Sequence, residues 1–385
     1  MAFRYLSAGE SHGPCLTVII EGVPAGLALN EEMIALNLAR RQLKAGAGGR
    51  MTIETDHATI EAGVMAGKTT GAPLALRIPN KDFSAWHGKS IPAYTIARPG
   101  HADLVACAKY NFDDIRCSLE RSSARETACR VAAGAVARAL LAPFGITAAS
   151  YVASLGSLKT DTVQLDAALS FAKTSSNQAP SQIDEDAFGK EIQSAKAKGE
   201  TLGGTIVCVV QGLPIGLGSY VTPDRRLDAR IGAAVLSVNA IKGVEFSNAF
   251  ANTAVTGSQL QDPILLQNGH ITRSTNNCGG LEAGMTTGQP LIVRAAMKPI
   301  PTTLAPQQSV NLATGEPSAT TYERSDSCPV PRACVVIESV ILIELAAALI
   351  EKLGGDSMDE MLARYSSLAT ADTVHLSPLP KIFWP

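Results

Sequence analysis

The chain has 385 residues, of which 46% are hydrophobic and only 5% aromatic, so it is long enough to bury a large core. Its formal net charge of −2 gives no electrostatic support to general nucleic-acid binding, which requires a basic surface. The eight cysteines form no C-x-x-C pair and show no metal-ligand spacing, which predicts free thiols and no metal site. The N-terminal MAFRYLSAGESHG lacks the apolar segment of a signal peptide, so we expect a cytoplasmic protein.

Strand and helix patterns follow one another irregularly along the chain. β-Branched and apolar runs predict strands at 16–22, 51–55, 74–78, 204–212 and 290–297. Helical periodicity begins after Asn30, Ser123, Asp224 and Cys334. The polar segment 157–200 is expected to be a helical surface excursion, and 299–325 to be a long loop rich in Pro, Thr and Ser. The apolar run 335–350 contains Glu338 and Glu344, which favours a buried helix over a membrane span.

Two short passages occur twice, in the same order. EGVPAGL (21–27) resembles QGLPIGL (211–217), and TTGAPLALR (69–77) resembles TTGQPLIVR (286–294). We therefore predict one domain over residues 1–385 with an internal duplication, its halves covering about 1–200 and 201–385. The order of elements does not match the regular βαβ alternation of a Rossmann sheet.

Residues 62–69, AGVMAGKT, fit a loose form of the phosphate-binding loop, which would indicate a nucleotide hydrolase. A true loop of this kind is followed immediately by a helix. Gly71 and Pro73 stand where that helix would run, so the sequence disfavours this alternative.

Residues 120–130, ERSSARETACR, precede an alanine-rich run that ends near Pro143. Ser123 and Glu126 have the S-x-x-E spacing of a capping box, which predicts a helix start near Ala124.

The same segment places Arg121 and Arg125 beside the predicted helix start. Unpaired N–H groups at a helix start favour an anion, and arginine adds permanently charged, planar donors that suit phosphate or carboxylate. The alternative is an ordinary surface helix whose arginines pair with Glu120 and Glu126.

Two histidines lie in glycine-bounded loops, His12 in AGESHGP and His101 in ARPGHADL. Histidine titrates near neutral pH and suits proton transfer, although a loop histidine is more often structural than catalytic.

Further cationic residues border turns instead of exposed helix faces. They could form a basic pocket for a polyanion, or they could be ordinary solvated surface charges. A carboxylate inside such a positive field, here Asp326, would stay ionised and could act as a base. The cations are Arg41, Arg50, Arg98, Lys298 and Arg324.

These segments together resemble the chorismate synthase family. AGESHGP (8–14), RPGHADL (98–104), ERSSARETACRVAAGAVA (120–137), LDARIGAAVLSVNAIKGVEF (227–246) and ERSD (323–326) occur in the family's order, and the resemblance covers about residues 3–352. It is closest to the monofunctional bacterial type. It implies an α+β fold, a duplicated β-α-β sandwich with central helices between antiparallel four-stranded sheets, and a homotetramer.

The resemblance also implies a reaction. The family converts 5-enolpyruvylshikimate 3-phosphate to chorismate by losing phosphate from C3 and a proton from C6, the last common step of the shikimate pathway to the aromatic amino acids. It needs reduced FMN (FMNH2), although the reaction has no net redox change. The expected partners are this substrate and a separate flavin reductase, with no nucleic-acid or membrane partner.

Site residues follow from the positions that match the family motifs. His101 would protonate or stabilise the reduced flavin, His12 would assist near the departing phosphate, and Asp326 would help flavin N5 accept the C6 proton. The flavin-contacting positions would be Arg121, Ser122, Ser123, Asn239, Ala240, Ala283, Lys298, Pro299, Ile300, Pro301, Thr302 and Arg324. The substrate-contacting positions would be Arg41, Ala47, Arg50, Arg98 and Arg125, with Arg324 shared.

The chain departs from the family pattern at two positions. Ala47 stands where many bacterial relatives have a second arginine associated with NADP, which puts a direct NADPH role in doubt because Lys44 cannot form the same bidentate fork. Ala283 replaces a common glycine, although a backbone contact could survive. The loop 299–325 is a candidate lid. A non-catalytic flavin-binding or anion-binding protein is the remaining alternative to the lyase.

Overall fold

The computed structural model describes residues 3–42, 56–161, 164–321 and 326–377. Its strands, in chain order, are β1 (Arg4–Ala8), β2 (Cys15–Glu21), β3 (Thr59–Ala62), β4 (Val64–Met65), β5 (Lys68–Thr69), β6 (Leu74–Pro79), β7 (Thr147–Leu155), β8 (Leu158–Lys159), β9 (Gly204–Gln211), β10 (Ile241–Phe246), β11 (Ile264–Gln267), β12 (His270–Arg273), β13 (Leu281–Glu282), β14 (Met285–Thr286), β15 (Leu291–Met297), β16 (Gln308–Val310) and β17 (Pro317–Ala319). Its α-helices are α1 (Glu31–Gln42), α2 (Phe83–Trp86), α3 (Asp103–Tyr110), α4 (Arg116–Ser122), α5 (Thr127–Leu141), α6 (Leu165–Ala172), α7 (Gln182–Ala197), α8 (Leu227–Leu236), α9 (Ala249–Asn252), α10 (Gly257–Leu260), α11 (Val330–Leu353) and α12 (Met358–Tyr365).

Two antiparallel sheets dominate the described part of the chain. The first has the strand order β1-β2-β6-β3 and the second the order β10-β15-β9-β7-β8. Burial alternates along β2 and along β6, so each strand turns one face to the core. The predicted α+β class with antiparallel sheets is confirmed. The expected four-strand count holds for the first sheet but not for the second, where the chain turns back at Gly156 and two residues of β8 pair with β7.

Central helices lie between the sheets. α5 packs on β2 and β6 of the first sheet, α11 packs on β7 and β9 of the second, and the two helices contact each other. A Cβ added to Gly134 of α5 would lie 2.3 Å from Cβ of Ser339 in α11, so this close packing requires glycine. One contiguous core cluster contains residues of both predicted halves.

The α11 helix is apolar on all sides and almost entirely buried. By length and composition, 330–353 and the helical stretch 116–144 could each cross a membrane, but 94% and 78% of their respective apolar windows are buried inside the protein. One charged residue of α11, Glu338, lies within this buried core. Glu338, which is fully buried, accepts hydrogen bonds from Arg40, Arg138 and Ser150. A buried carboxylate is tolerated because it is paired.

The two repeated sequence passages make the same hydrogen bonds. Thr69 Oγ1 donates to Pro24 O at 2.6 Å and accepts from Leu27 N at 3.0 Å. Thr286 Oγ1 donates to Pro214 O at 2.6 Å and accepts from Leu217 N at 2.8 Å. The agreement supports the internal duplication, because short turn motifs that matched by chance need not share buried contacts.

Residues 62–69 do not form a phosphate-binding loop. β4 and β5 make a short hairpin there, and β6 follows where a helix would be needed. The side chain of Thr69, the residue of the motif that would ligate magnesium, is buried in the hydrogen bonds just described. The nucleotide-hydrolase alternative is therefore wrong.

Several predicted elements differ in extent from the observed ones. The helix after Asp224 ends at Leu236, because the chain turns there and continues as β10. The last long helix begins at Val330, before Cys334. The predicted loop 299–325 contains the β16–β17 hairpin. The predicted strand 51–55 lies outside the described residues.

Candidate active site

A cavity of about 640 Å³ opens where several loops meet the junction of α4 and α5. The loops follow β1, β6 and β15 and precede α3 and β10. This volume suits small-molecule ligands. The lining residues are Ser11, His12, Arg41, Asp82, Trp86, Arg98, Gly100, His101, Ala102, Leu119, Ser122, Ser123, Ala124, Arg125, Asn239, Ala240, Lys298, Ile300, Pro301, Thr302, Asp326 and Arg332.

The cavity brings together most of the residues predicted from the sequence, although they come from distant parts of the chain. All three predicted catalytic residues line it, as do three of the predicted substrate arginines. Arg121, Ala283 and Pro299 are described but do not line it. Ala47, Arg50 and Arg324 lie outside the described residues.

The ERSSARETACR segment is a break between two helices. α4 ends at Ser122, and Ser123 has an extended backbone, with ψ of 142°, before a 3₁₀ turn leads into α5. Ser123 Oγ accepts from Arg125 N at 3.3 Å, so the predicted cap exists but not as the capping box with Glu126. Asn239 Nδ2 donates to Ser122 O at 2.8 Å and ties the break to the loop before β10.

Neither Arg121 nor Arg125 pairs with Glu120 or Glu126 in the described structure. Arg121 is exposed and donates to Ser7, and Arg125 is buried and bonds Asp56. The ordinary surface-helix alternative is therefore wrong for Arg125. Arg121 donates to Ser7, and neither of these two residues lines the cavity.

Arg41 and Arg125 share one buried carboxylate, that of Asp56. Arg41 Nη1 lies 3.1 Å from Asp56 Oδ2, and Arg125 Nη1 bonds the other oxygen. Thr127 and Asn80 accept from the two Nε atoms at 3.0 and 2.8 Å. Burial lowers the pKa of Arg41 to about 10, with Asp56 acting in the opposite direction, so this guanidinium stays charged at neutral pH. These contacts hold both cations rigidly at the cavity wall.

Arg98 and His101 are likewise held by one buried carboxylate. Asp103 accepts from Arg98 Nε at 2.8 Å, from Arg98 Nη2 at 2.9 Å and from His101 Nδ1 at 2.6 Å. Burial opposes ionisation of Asp103, but the bonds from His101 and Arg98 outweigh it and hold its pKa well below the ordinary value. Since this carboxylate can only accept, His101 carries a proton on Nδ1.

His12 has a similar anchor in Glu120. Its backbone N and its Nδ1 both lie 2.7 Å from oxygens of the Glu120 carboxylate. Burial again opposes ionisation of Glu120, but the bonds from His12 outweigh it, so the Glu120 pKa is lowered. His12 Nε2 lies 4.0 Å from Asp82, and the Trp86 ring packs on the imidazole with centroids 4.3 Å apart. The Nδ1 proton and the ring orientation are thereby set.

The segment from Lys298 to Thr302 closes another side of the cavity. Lys298 Nζ donates to Gly100 O at 3.1 Å, and Lys298 N donates to Ala240 O at 2.9 Å. Burial, and then Lys242, lower the pKa of Lys298. Ala240 has a left-handed backbone, with φ of 66°, which turns the chain into β10.

Positive charge predominates around the cavity. Among the described lining residues, Arg41, Arg98, Arg125, Lys298 and Arg332 are cations, whereas Asp82 and Asp326 are carboxylates. Arg332 Nη1 lies 2.7 Å from Asp326 Oδ2, so the predicted base is itself held by a cation. The arrangement suits a ligand with several anionic groups.

Several residues that build the site were not predicted. Asp56, Asp103 and Glu120 position the arginines and histidines, and Trp86 and Arg332 line the cavity. A local signal existed for Asp103, which follows His101 by two positions in ARPGHADL. No local signal linked the others to their partners.

Ala283 lies in the turn between β13 and β14. Its φ is 49°, and Gly284 O beside it accepts from Leu227 N at 2.9 Å. Ala66, in the corresponding hairpin of the first half, also has φ of 49°. Ala283 does not line the cavity, and its predicted backbone contact with a flavin stays a prediction.

Comparisons with known proteins agree on one family. Residues 3–350 match the family model described as chorismate synthase. Chorismate synthases of Geobacter metallireducens and Geotalea uraniireducens are each 48% identical, covering 94% and 95% of this chain and 97% and 98% of their own. That of Syntrophotalea carbinolica is 49% identical over 93% of this chain and 95% of its own.

A solved structure gives the same result for the fold. A crystal structure of chorismate synthase superposes with a TM-score of 0.79 at 39% identity, covering 95% of this chain and 97% of the other. Because the superposition covers 95% of the chain, the agreement is not confined to one motif. The chain belongs to the chorismate synthase family.

Proposed function

We propose that the protein converts 5-enolpyruvylshikimate 3-phosphate to chorismate and phosphate, using reduced FMN that is not consumed. Family membership supports the chorismate-forming step of the shikimate pathway. The observation that carries the finer proposal is the cavity, where buried arginines and two histidines, each held by a carboxylate, converge on one space.

The charge of the proposed substrate fits this lining. It carries one phosphate and two carboxylates, and the described lining offers five cations against two carboxylates. Arg41, Arg98 and Arg125 would bind these anions, together with Arg50 and Arg324 outside the described residues. Because their protein contacts pre-orient them, little ordering would be needed on binding.

The flavin would occupy the apolar part of the same cavity. Leu119, Ile300, Pro301, Ala124 and Ala240 supply apolar surface for a planar ring. Ser122, Ser123, Asn239, Thr302 and Lys298 offer polar atoms for its polar edge and phosphate. When bound, reduced FMN would lend an electron to the substrate and recover it, which weakens the C3–O bond without net oxidation.

The two histidines would act at different points of the reaction, His12 at the substrate phosphate and His101 at the cofactor. His12 would support the phosphate as the C3–O bond breaks, since its ring can donate from Nε2 when protonated. His101, oriented by Asp103, would protonate or stabilise the reduced cofactor. Asp326 would assist removal of the C6 proton, so that the departure of one proton and one phosphate leaves the second ring double bond.

A closed, water-poor cavity would protect this chemistry. The segment 299–325 is our candidate lid. Its β16–β17 hairpin contacts the segment leading to Arg98, where Leu312 N donates to Thr95 O at 2.8 Å. Protease protection of this segment on adding FMN would support the assignment; unchanged cleavage would contradict it.

The remaining properties are proposed from the family. We propose a cytoplasmic homotetramer supplied with reduced FMN by a separate reductase. Exposed apolar side chains, among them Phe250, Ile264 and Leu266, provide surface for assembly. A direct NADPH contact is not proposed, because Ala47 cannot bind a phosphate as arginine does.

The experiment is anaerobic. Purified protein is mixed with chemically reduced FMN and 5-enolpyruvylshikimate 3-phosphate, and chorismate is followed by its ultraviolet absorbance. We expect chorismate with reduced FMN and none with oxidised FMN. A folded protein that binds FMN but forms no chorismate would support the non-catalytic alternative, and A47R would then be the first variant to make.

A further inference from the structure

Arg332 occupies the cavity wall in the first turn of α11. Only 9% of its surface is exposed, and its Nη1 is paired with Asp326 Oδ2 at 2.7 Å. The family motifs recognised in the sequence do not include this residue.

The opposite edge of the same guanidinium has no partner among the residues that the structure describes. Nε and Nη2 of Arg332 are both buried and make no hydrogen bond within the described part of the chain. Buried polar groups are almost always paired, because removing a donor from water without a new acceptor is costly. Two unpaired donors on one buried cation therefore indicate a missing acceptor.

The shape of that edge defines the acceptor. Nε–H and Nη2–H are parallel, and Arg98 uses these two atoms to hold the two oxygens of Asp103 at 2.8 and 2.9 Å. Arg226 binds Asp228 through the same edge. In Arg98 and Arg226 this edge binds both oxygens of a planar carboxylate.

We propose that Arg332 binds a carboxylate of the substrate through Nε and Nη2, while Nη1 keeps Asp326 in place. The proposal rests on the proposed function, since that substrate has two carboxylates. Arg332 lies in the first turn of the 24-residue helix α11, where the positive end of the helix dipole also favours binding of an anion. Arg332 thereby couples substrate binding to the orientation of the predicted base.

The test is a binding measurement that does not depend on turnover. Isothermal titration with oxidised FMN present compares 5-enolpyruvylshikimate 3-phosphate and its two monomethyl esters on the wild type, R332M and R332K. R364M is the matched control, because Arg364 is an ion-paired arginine outside the cavity lining. Melting temperatures show whether each variant is folded.

We expect R332M to weaken binding of the substrate by about 10- to 100-fold, R332K to weaken it less, and R364M to leave it unchanged. One of the esters, lacking the bound carboxylate, should bind the wild type and R332M with equal affinity. If R332M does not fold, R332K tests the proposal. Lysine cannot form two parallel hydrogen bonds, so R332K must still weaken binding of the substrate by several-fold.

Unchanged substrate affinity in the folded variants would overturn the proposal. It would also be overturned if R332M weakened binding of both esters as much as it weakens binding of the substrate, because Arg332 would then hold neither carboxylate. A wild-type protein that binds the substrate but forms no chorismate would refute the proposed function alone. A wild-type protein that binds neither substrate nor ester would refute both.

Discussion

Glu120 holds His12 at two points, accepting from its backbone N and from its Nδ1, both at 2.7 Å. The two residues are far apart in the sequence, yet the contact sets both the position of the loop and the orientation of the imidazole. The Glu120 carboxylate, near the end of α4, therefore acts on the cavity through the histidine.

E120Q should lower kcat of chorismate formation by roughly 10- to 100-fold, because the amide weakens the bond that orients the ring. Steady-state kinetics with reduced FMN measure the effect. E126Q is the matched control, since Glu126 pairs with Ser7 and Arg130 outside the cavity lining. Equal activity of E120Q and wild type would contradict a positioning role for Glu120.

D103N should impair both folding and turnover. Asn cannot accept from Arg98 and His101 on both sides, so a buried cation loses its partner, at a cost of about 3 kcal/mol. We expect kcat/KM to fall by at least about 100-fold. Urea unfolding and kinetics measure the two effects.

The control for D103N is D114N. Among the described residues, Oδ1 of Asp114 accepts from the backbone N of Tyr94 and of Arg116, which an amide oxygen can also do. A D103N variant as stable and active as D114N would show that the Arg98–Asp103–His101 cluster does not matter.

T69V and T286V should destabilise the protein by similar amounts, about 1–2 kcal/mol each, because each loses the same pair of buried hydrogen bonds. Chemical denaturation measures the free energy of unfolding. T70V, at an exposed position, should cost much less. A large effect at one site and none at the other would argue against equivalent halves.

A283G should raise the free energy of unfolding by about 0.5–1 kcal/mol. Ala283 has a left-handed backbone, which costs an alanine more than a glycine, although glycine is more flexible when unfolded. Thermal unfolding of A283G, with A66G as the parallel case, measures the gain. A lower melting temperature for both would contradict the strain argument.

Acid should destabilise the loop around Asp262. Burial opposes its ionisation, but bonds from Cys278, Thr275 and Asn277 outweigh it and lower its pKa to about 2. A lowered folded-state pKa stabilises the protein above the ordinary value of 3.8, and this contribution is lost as pH falls toward 2.

The difference in unfolding free energy between wild type and D262N should therefore shrink between pH 5 and pH 3. Urea titrations at both values measure it. A difference that stays constant with pH would show that the Asp262 carboxylate is not selectively stabilised in the folded state.

The sequence predicted the residues that carry the chemistry of the cavity better than the residues that hold them in position. His12, His101 and the turn-bounded arginines stand in local motifs, so residue type and glycine spacing marked them. The partners that hold them could not be found in that way. Asp56 reaches Arg41 and Arg125 only after α1, α5 and the sheet are packed, and no local pattern encodes such a meeting.

Element type was predictable where periodicity was long, as in α1, whose range matches the predicted run after Asn30. The β4–β5 hairpin and β8 consist of two-residue strands, which are too short to show any period. Their formation depends on turns closed by neighbouring segments, which local sequence does not specify.

Glu338 has a consequence for the order in which the chain assembles. If α11 docked on its sheet alone, an uncompensated carboxylate would be sealed in the core, which is strongly unfavourable. Arg40 comes from α1 and Arg138 from α5, so both cations that pair with Glu338 belong to the first predicted half of the chain, whereas α11 belongs to the second. A partly assembled core in which Glu338 lacks these cations would therefore be unstable. We expect the two halves of the chain to fold together in one cooperative step.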